Sequence, residues 1–353
     1  MKKRKCLNVI SESLCDEKSI LNKVCFRAPK QKRRKKTVLA DISPNNLPQD
    51  FQRLGCKGLE NLGNTCYFNS VVQVLLHCPL ARQAIEKAPQ SIHVLRELRT
   101  LFTRMTNDDA STFISPSECF DAVMNSPQCR EAQMSLNNRQ EDAHEIFLKL
   151  LEHFDDELTL IAEVYNLPNV FNIALRSTLT CQRCSYTSDK TEYLWLLSLH
   201  FPSGFAGEVP NSQELHIDSL MDRYFKLERL TLHPCSQCLF IGGTVKKLDI
   251  VNSPQILVIH IARFNSGLEK IDAFVEFPTE LTSEHIRSRD GHLLSYRLRG
   301  IITHIGSSIA GGHFIAYVLI QNTWYMADDK RMTRVSRQRV SSLKAYVLFY
   351  QGL

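Results

Sequence analysis

Apolar residues recur at helical spacing through the first part of the chain and at strand-like spacing through the rest. Tyr67, Val71 and Leu75 form one row and Phe68, Val72 and Leu76 another, so both rows lie on one side of a helix. Val94, Leu95, Leu98, Leu101, Phe102 and Met105 form a second amphipathic stripe. Ala143, Ile146, Phe147, Leu150, Leu151 and Phe154 form a third, in a helix predicted from Gln140 to Leu151. Asp142 and Glu145, three apart, are expected on its polar side. Ser115-Pro116-Ser117-Glu118 reads as a capping box with proline at the first helical position. From about residue 170 the period changes: Phe171, Ile173 and Leu175 alternate, Tyr193 to Phe201 is apolar and aromatic, and Ile256 to Ile261 is a buried run. Further strands are expected at 296–305, 314–320, 324–326 and 346–350. Helices first and strands after predict an α+β fold with a mainly antiparallel sheet.

The 353 residues suffice for one large domain or two modest ones. No apolar run reaches the roughly 18 residues of a membrane helix, so no membrane partner is expected. The opening MKKRK is not followed by an apolar segment, which is not the pattern of a secretory leader. The twelve cysteines are therefore read as reduced, in a cytoplasmic or nuclear protein. The net charge of +6 is unevenly placed: residues 1–50 carry 13 Lys+Arg against 5 Asp+Glu, a net of +8, and residues 51–353 a net of −2. Residues 1–50 show little periodicity and read as a disordered basic tail. Its densest cluster, Lys30–Lys36, holds six cations. That run is either a solvated face, a nucleic-acid contact or a nuclear import signal. With no aromatic residue interleaved to stack on bases, nuclear import is favoured, and the nucleus is the expected location.

Three groups of residues carry candidate chemistry. Cys66 follows a turn rich in glycine and asparagine and begins the Tyr67 helix, with Asn64 and Thr65 as candidate caps. At a helix N-terminus the unpaired amides and the dipole favour an anion, the condition a nucleophilic thiolate needs. The competing reading is a buried structural cysteine. Cys181, Cys184, Cys235 and Cys238 form two Cys-x-x-Cys pairs, each between strand-like segments. Two knuckles that meet would make a closed, structural Zn²⁺ site of four thiolates, with sulfur about 2.3 Å from the metal. His313 follows Gly311-Gly312 and opens an apolar strand, and a hairpin back to Asp328 and Asp329 would set a carboxylate beside it. Nucleophile, base and orienting carboxylate then occur in the order Cys, His, Asp, as in papain-like thiol proteases.

Residues 55–351 resemble a ubiquitin-specific protease, a papain-like cysteine deubiquitinase. The resemblance rests on Gly58 to Gln73, on Gln140-Glu141-Asp142-Ala143-His144-Glu145, on the two Cys-x-x-Cys pairs, on Gly311 to Tyr317, and on Ala345 to Tyr350. It implies a helical thumb, a β palm and zinc-binding β fingers at about 170–250. It implies Cys66 as nucleophile, His313 as base, and Asp328, or Asp329 beside it, as the orienting carboxylate. Asn61, five residues before Cys66, matches the oxyanion donor. Asp142 and Glu145 match acidic positions that hold ubiquitin's arginine-bearing tail, and Gly311 and Gly312 suit a channel too narrow for side chains. The implied reaction removes ubiquitin from protein conjugates, and chromatin or an activating subunit is a candidate further partner. Phe314, Ala327 and Ala262 depart from the family pattern, which has tyrosine, an aromatic and a basic residue there.

Overall fold

The computed structural model describes residues 57–107, 110–134, 140–160, 170–202, 215–265, 269–282, 295–308 and 311–353. The basic tail read over 1–50 lies outside the described residues. Strand β1 (Gly58–Leu59) leads into a helical half: α1 (Cys66–His77), α2 (Pro79–Lys87), α3 (His93–Thr106), then strand β2 (Phe113–Ile114), α4 (Ser117–Met124), α5 (Pro127–Glu131) and α6 (Ala143–Leu160). Strands follow: β3 (Ile173–Cys181), β4 (Thr187–Leu194), β5 (Leu197–His200) and β6 (Leu215–His216), then helix α7 (Ile217–Tyr224), β7 (Glu228–Leu230), β8 (Thr244–Asn252) and β9 (Ile256–Ala262). The chain closes with β10 (Val275–Glu276), β11 (Glu280–Leu281), β12 (Tyr296–Ser308), β13 (Gly311–Ile320), β14 (Thr323–Asp328), β15 (Arg331–Val335), helix α8 (Arg337–Ser341) and β16 (Ala345–Gly352).

One eight-stranded sheet runs β15-β14-β13-β12-β16-β9-β5, with β11 on β12, and every pairing in it is antiparallel except β5 with β9. A four-stranded antiparallel sheet, β4-β3-β8-β7, carries the two cysteine knuckles at its strand ends, the first starting at Cys181, the last residue of β3. The larger sheet is apolar on both faces because its strands alternate between two cores. On β13, Phe314, Ala316, Val318 and Ile320 join the helical core, and Ile315, Tyr317 and Leu319 join the other. Helix α1 lies in the helical core with all twelve of its residues buried. Among the described residues no helix is long and apolar enough to cross a membrane.

Two local expectations fail. The capping box at Ser115 does not form: α4 begins at Ser117 with no side-chain cap. The Ser115 hydroxyl serves Glu60 instead, and Glu118 reaches across to Arg104 at 2.9 Å. The third helix begins at Ala143 rather than Gln140, so Asp142 precedes it. There Asp142 Oδ1 accepts from the His144 amide at 2.8 Å, as an N-terminal cap does.

Helix α1 approaches β12 at Gly300, where an added methyl would sit 2.5 Å from Val74 Cγ1. Gly300→Ala is expected to cost about 1–3 kcal/mol through overpacking, read as a lower denaturation midpoint at unchanged slope. Gly311→Ala is the control, since a methyl there meets nothing within 4 Å. Equal stability of the two variants would show that the helix is not seated this closely.

Candidate active site and metal centre

Cys66 is the first residue of α1 and is 3% exposed. Thr65 stands at the cap position, but its hydroxyl turns back to accept from the Leu62 amide at 3.0 Å. No acidic residue occupies the first turn of α1, so the positive end of the dipole is left to the thiol. The sulfur accepts from the Phe314 amide at 3.4 Å. His313 lies between Cys66 and Asp328: its Nε2 is 2.6 Å from Asp328 Oδ1, and the other ring nitrogen serves the hydrogen bond to Cys66. The hydrogen bond to Cys66, with Asp328 behind it, outweighs burial and raises the imidazole to about 9. The ring therefore holds its proton at neutral pH, between a sulfur and a carboxylate. Ala327, small where an aromatic is usual, is buried between Ala316 and Met332, and Asp328 still reaches His313.

Asp329 does different work. Its backbone is left-handed at φ 46°, and its carbonyl accepts from the Leu59 amide at 2.8 Å. Its carboxylate takes one hydrogen bond from Asn69 Nδ2 and one from Asn61 Nδ2, both at 2.8 Å. Asn61 Oδ1 accepts from the Thr65 amide at 3.0 Å. The Asn61 amide is thus fixed on both sides, and its second N–H remains to donate. This bracket requires Gly58, since a methyl there would lie 2.3 Å from the Lys330 backbone.

The facing ends of β12 and β13 are tied down from two sides. Gln140 Oε1 accepts from the Gly312 amide at 2.7 Å, and Lys270 Nζ donates to the carbonyls of His304 at 2.7 Å and Gly306 at 3.1 Å. The two glycines before His313 are unlike each other. A methyl on Gly312 would meet His304 Nε2 and the Ile305 carbonyl at 2.4 Å, whereas Gly311 has open space around it.

The acidic pair separates as well. Asp142 is 4% exposed, and its carboxylate accepts from Tyr346 at 2.5 Å and lies 3.0 Å from His144 Nδ1. Burial alone would raise this carboxyl, but His144 overrides it and brings Asp142 to about 2. His144 stacks on His260 at 4.1 Å between ring centroids. Burial of His144 is outweighed by Asp142, so its pKa rises, while burial and the charge on His144 push His260 well down. Glu145 is half-buried, its pKa raised by burial, and it makes no ion pair among the described residues.

The four knuckle cysteines converge within 4.8 Å of one another. Cys181 Sγ lies 3.7 Å from Cys238 Sγ, and Cys184 Sγ 3.7 Å from Cys235 Sγ. Four sulfurs about 2.3 Å from one tetrahedral metal stand about 3.8 Å apart. The backbone amides of Cys184 and Arg183 lower Cys181 to about 6, and those of Cys238 and Gln237 lower Cys235. The arrangement can hold a metal ion.

Sequence reasoning did not single out Asn69, Gln140, Lys270, His304 or Tyr346. Asn69 carried a signal, being a polar residue inside an apolar helix, and it is 3% exposed.

A cysteine at a helix N-terminus, a histidine at a strand mouth and a carboxylate on the returning strand form an arrangement in which a thiol has a base beside it and the base has an orienting group. Residues 57–350 match the family described as ubiquitin carboxyl-terminal hydrolase, and the chain belongs to that family. It is 30% identical over 324 residues to ubiquitin carboxyl-terminal hydrolase 23 of Arabidopsis thaliana, covering 85% of this chain and 36% of that one. It is 28% identical over 372 residues to ubiquitin carboxyl-terminal hydrolase 51 of Mus musculus, covering 91% of this chain and 53% of that one. The chain thus spans about half the length, or less, of these two relatives. Among solved structures it superposes on a chain of the SAGA DUB module, Ubp8/Sgf11/Sus1/Sgf73 bound to monoubiquitin. The TM-score is 0.71 at 23% identity, over 95% of this chain and 74% of that one.

The division between the two aspartates can be read directly by NMR titration of labelled histidine, with His313→Gln to assign the signal. His313 is expected to titrate at about 9. Cys66→Ser is expected to lower that value most, Asp328→Asn next, and Asp329→Asn to leave it in place. A shift on Asp329→Asn comparable to that on Asp328→Asn would contradict the assignment.

Proposed function

We propose that the chain is a thiol-dependent deubiquitinase, a reading carried by His313 joining Cys66 to Asp328 within a domain of this family. Cys66 Sγ attacks the carbonyl carbon of ubiquitin's C-terminal glycine. The bond to the lysine nitrogen breaks, His313 gives its proton to the departing amine, and a thioester remains on Cys66. Water then attacks the thioester, His313 takes its proton, and ubiquitin leaves as the carboxylate. Asp328 holds the imidazole in register throughout. Asn61 donates to the oxyanion from the amide fixed by Asp329, an interaction of about 3 kcal/mol for one donor.

Glu145 is the carboxylate offered to the arginine-bearing tail, since Asp142 is already engaged by Tyr346 and His144. Gly312 lets the chain before His313 lie directly on His304 and the Ile305 carbonyl, and Gly311 leaves open space beside it for the glycine-ended tail. The four cysteines are assigned one structural Zn²⁺ ion, which would supply closure of the fingertips and no chemistry. Ubiquitin conjugates are the substrate class. The basic tail supports a nuclear location with some cytoplasmic presence. An activating subunit or chromatin is a further partner in this reading, supported by the SAGA DUB module in which the structural neighbour resides.

The deciding measurement is release of a fluorophore from the C-terminus of ubiquitin. Turnover is expected from the parent, to vanish in Cys66→Ala, and to survive in Glu145→Gln with KM raised several-fold at little change in kcat. Binding of ubiquitin without turnover by the parent chain would replace this reading with that of a ubiquitin-binding module. Metal analysis is expected to find one zinc per chain, lost in Cys184→Ser together with thermal stability. Parent protein free of zinc at full stability would remove the ion.

A further inference from the structure

A groove of about 590 Å³ opens among α3, α4, α5 and α6, and none of its lining residues belongs to the catalytic cleft. That volume lies within the range of about 300–1,000 Å³ typical of clefts that enclose a ligand. Glu97, Glu118, Asp121 and Glu157 line it, with no lysine or arginine among the lining residues. Asp121 and Glu157 make no ion pair among the described residues. Glu97 lies 3.4 Å from Arg96 and 3.5 Å from the imidazole of the lining residue His93, and Glu118 lies 2.9 Å from Arg104; neither arginine lines the groove.

A buried imidazole on the wall adds to this. His153 is 6% exposed, and its Nδ1 is 3.0 Å from Gln128 Oε1. Gln128 Nε2 donates to Asp156 at 2.7 Å, so its oxygen must face the ring and Nδ1 must carry the hydrogen. Nε2 is left as an acceptor on the groove wall. Burial lowers the pKa of His153, so it adds no cation to the groove. The wall is thus acceptor-rich and anionic, which suits a ligand made of cationic donors.

The chain carries such a segment. Lys30–Lys36 holds six cations in seven residues. The described chain begins at Lys57, whose Nζ donates to the Arg104 carbonyl in the last turn of α3 at 3.4 Å. Glu97 lies seven residues earlier on α3, about 10 Å along the helix axis. The tether 37–56 has about 20 residues, with a reach of up to about 70 Å and a root-mean-square span of about 25 Å if flexible. Its length covers the distance easily, and attachment to the same chain raises the effective concentration of the segment at the groove.

We propose that this groove is the docking site of the chain's own basic segment Lys30–Lys36, held by the carboxylates of Glu97, Glu118, Asp121 and Glu157. Docking withdraws those cations from other anionic partners and returns them when salt or a competing polyanion releases the segment.

The test uses the full chain. Carbodiimide coupling at low salt, followed by peptide mass spectrometry, is expected to join lysines of 30–36 to groove carboxylates within one molecule. Mixing ¹⁵N-labelled and unlabelled protein separates that result from exchange between copies. Trypsin cleavage within 30–36 is expected to be slower than within Lys2–Lys5. Cleavage should accelerate about ten-fold in the Glu97→Gln/Asp121→Asn/Glu157→Gln variant, and also for the parent in 0.5 M NaCl, with Lys2–Lys5 unchanged. The salt arm needs no variant, and an unchanged melting temperature certifies the fold of the triple substitution. Cross-links to carboxylates elsewhere, cross-links only between copies, or cleavage insensitive to both treatments would each overturn the assignment.

Discussion

Helix α1 packs on β12 so closely that Gly300 has no room for a methyl group, and this contact sets where Cys66 meets His313. The helix has little reason to form alone. Its sequence CYFNSVVQVLLH includes three valines, which are weak helix formers, and twelve residues are marginal for an isolated helix. It forms because all of its residues are buried, with Val74 against β12 and Cys66 against β13. Tertiary packing therefore aims the dipole at Cys66, and no acidic side chain in the first turn competes for it.

From that fixed thiol the two aspartates divide the remaining work. Asp328 faces His313 along the hairpin of β13 and β14, a local relation of 15 residues. Asp329 is turned away by its left-handed backbone and reaches Asn61 and Asn69, 268 and 260 residues distant. The carboxylate bonded to His313 is thus tied to the strand that carries His313. The carboxylate that fixes the Asn61 amide is tied to the segment that carries Cys66. Gly58 permits this second tie by letting two backbones touch.

This difference in range explains what the sequence could reveal. Helical spacing of Tyr67 to Leu76, alternation from β3 onward and the 313–328 hairpin are local patterns, and they were legible. The two Cys-x-x-Cys pairs were legible as knuckles because each spans a single turn, although their meeting at 3.7 Å depends on the β3–β8 pairing. Asp142 and Ser115 were misread for the same physical reason. Each was assigned by local helix rules, and each is claimed by a distant group: Asp142 by Tyr346, 204 residues on, and Ser115 by Glu60. Lys270 carried no local signal, and the motif containing Gln140 did not reveal its partner, because what they hold is backbone at the ends of β12 and β13, far along the chain.

Two polar side chains packed against the facing ends of β12 and β13 lack partners for part of their polar atoms. His304 is 4% exposed with no protein partner at either ring nitrogen, and burial with nearby Lys270 lowers it to about 4, keeping it neutral. Gln140 spends its oxygen on Gly312 and leaves its buried Nε2 without a protein partner. A buried polar group in that condition costs about 1–3 kcal/mol. Along β13 itself apolar side chains alternate between the two cores. Such groups favour any arrangement that gives them partners, and an extended peptide backbone offers both an N–H and a C=O at each residue. Three such atoms thus lie next to Gly311 and Gly312, and three more, Asn69 Oδ1, Gln73 Oε1 and His77 Nε2, lie on the helix that holds Cys66.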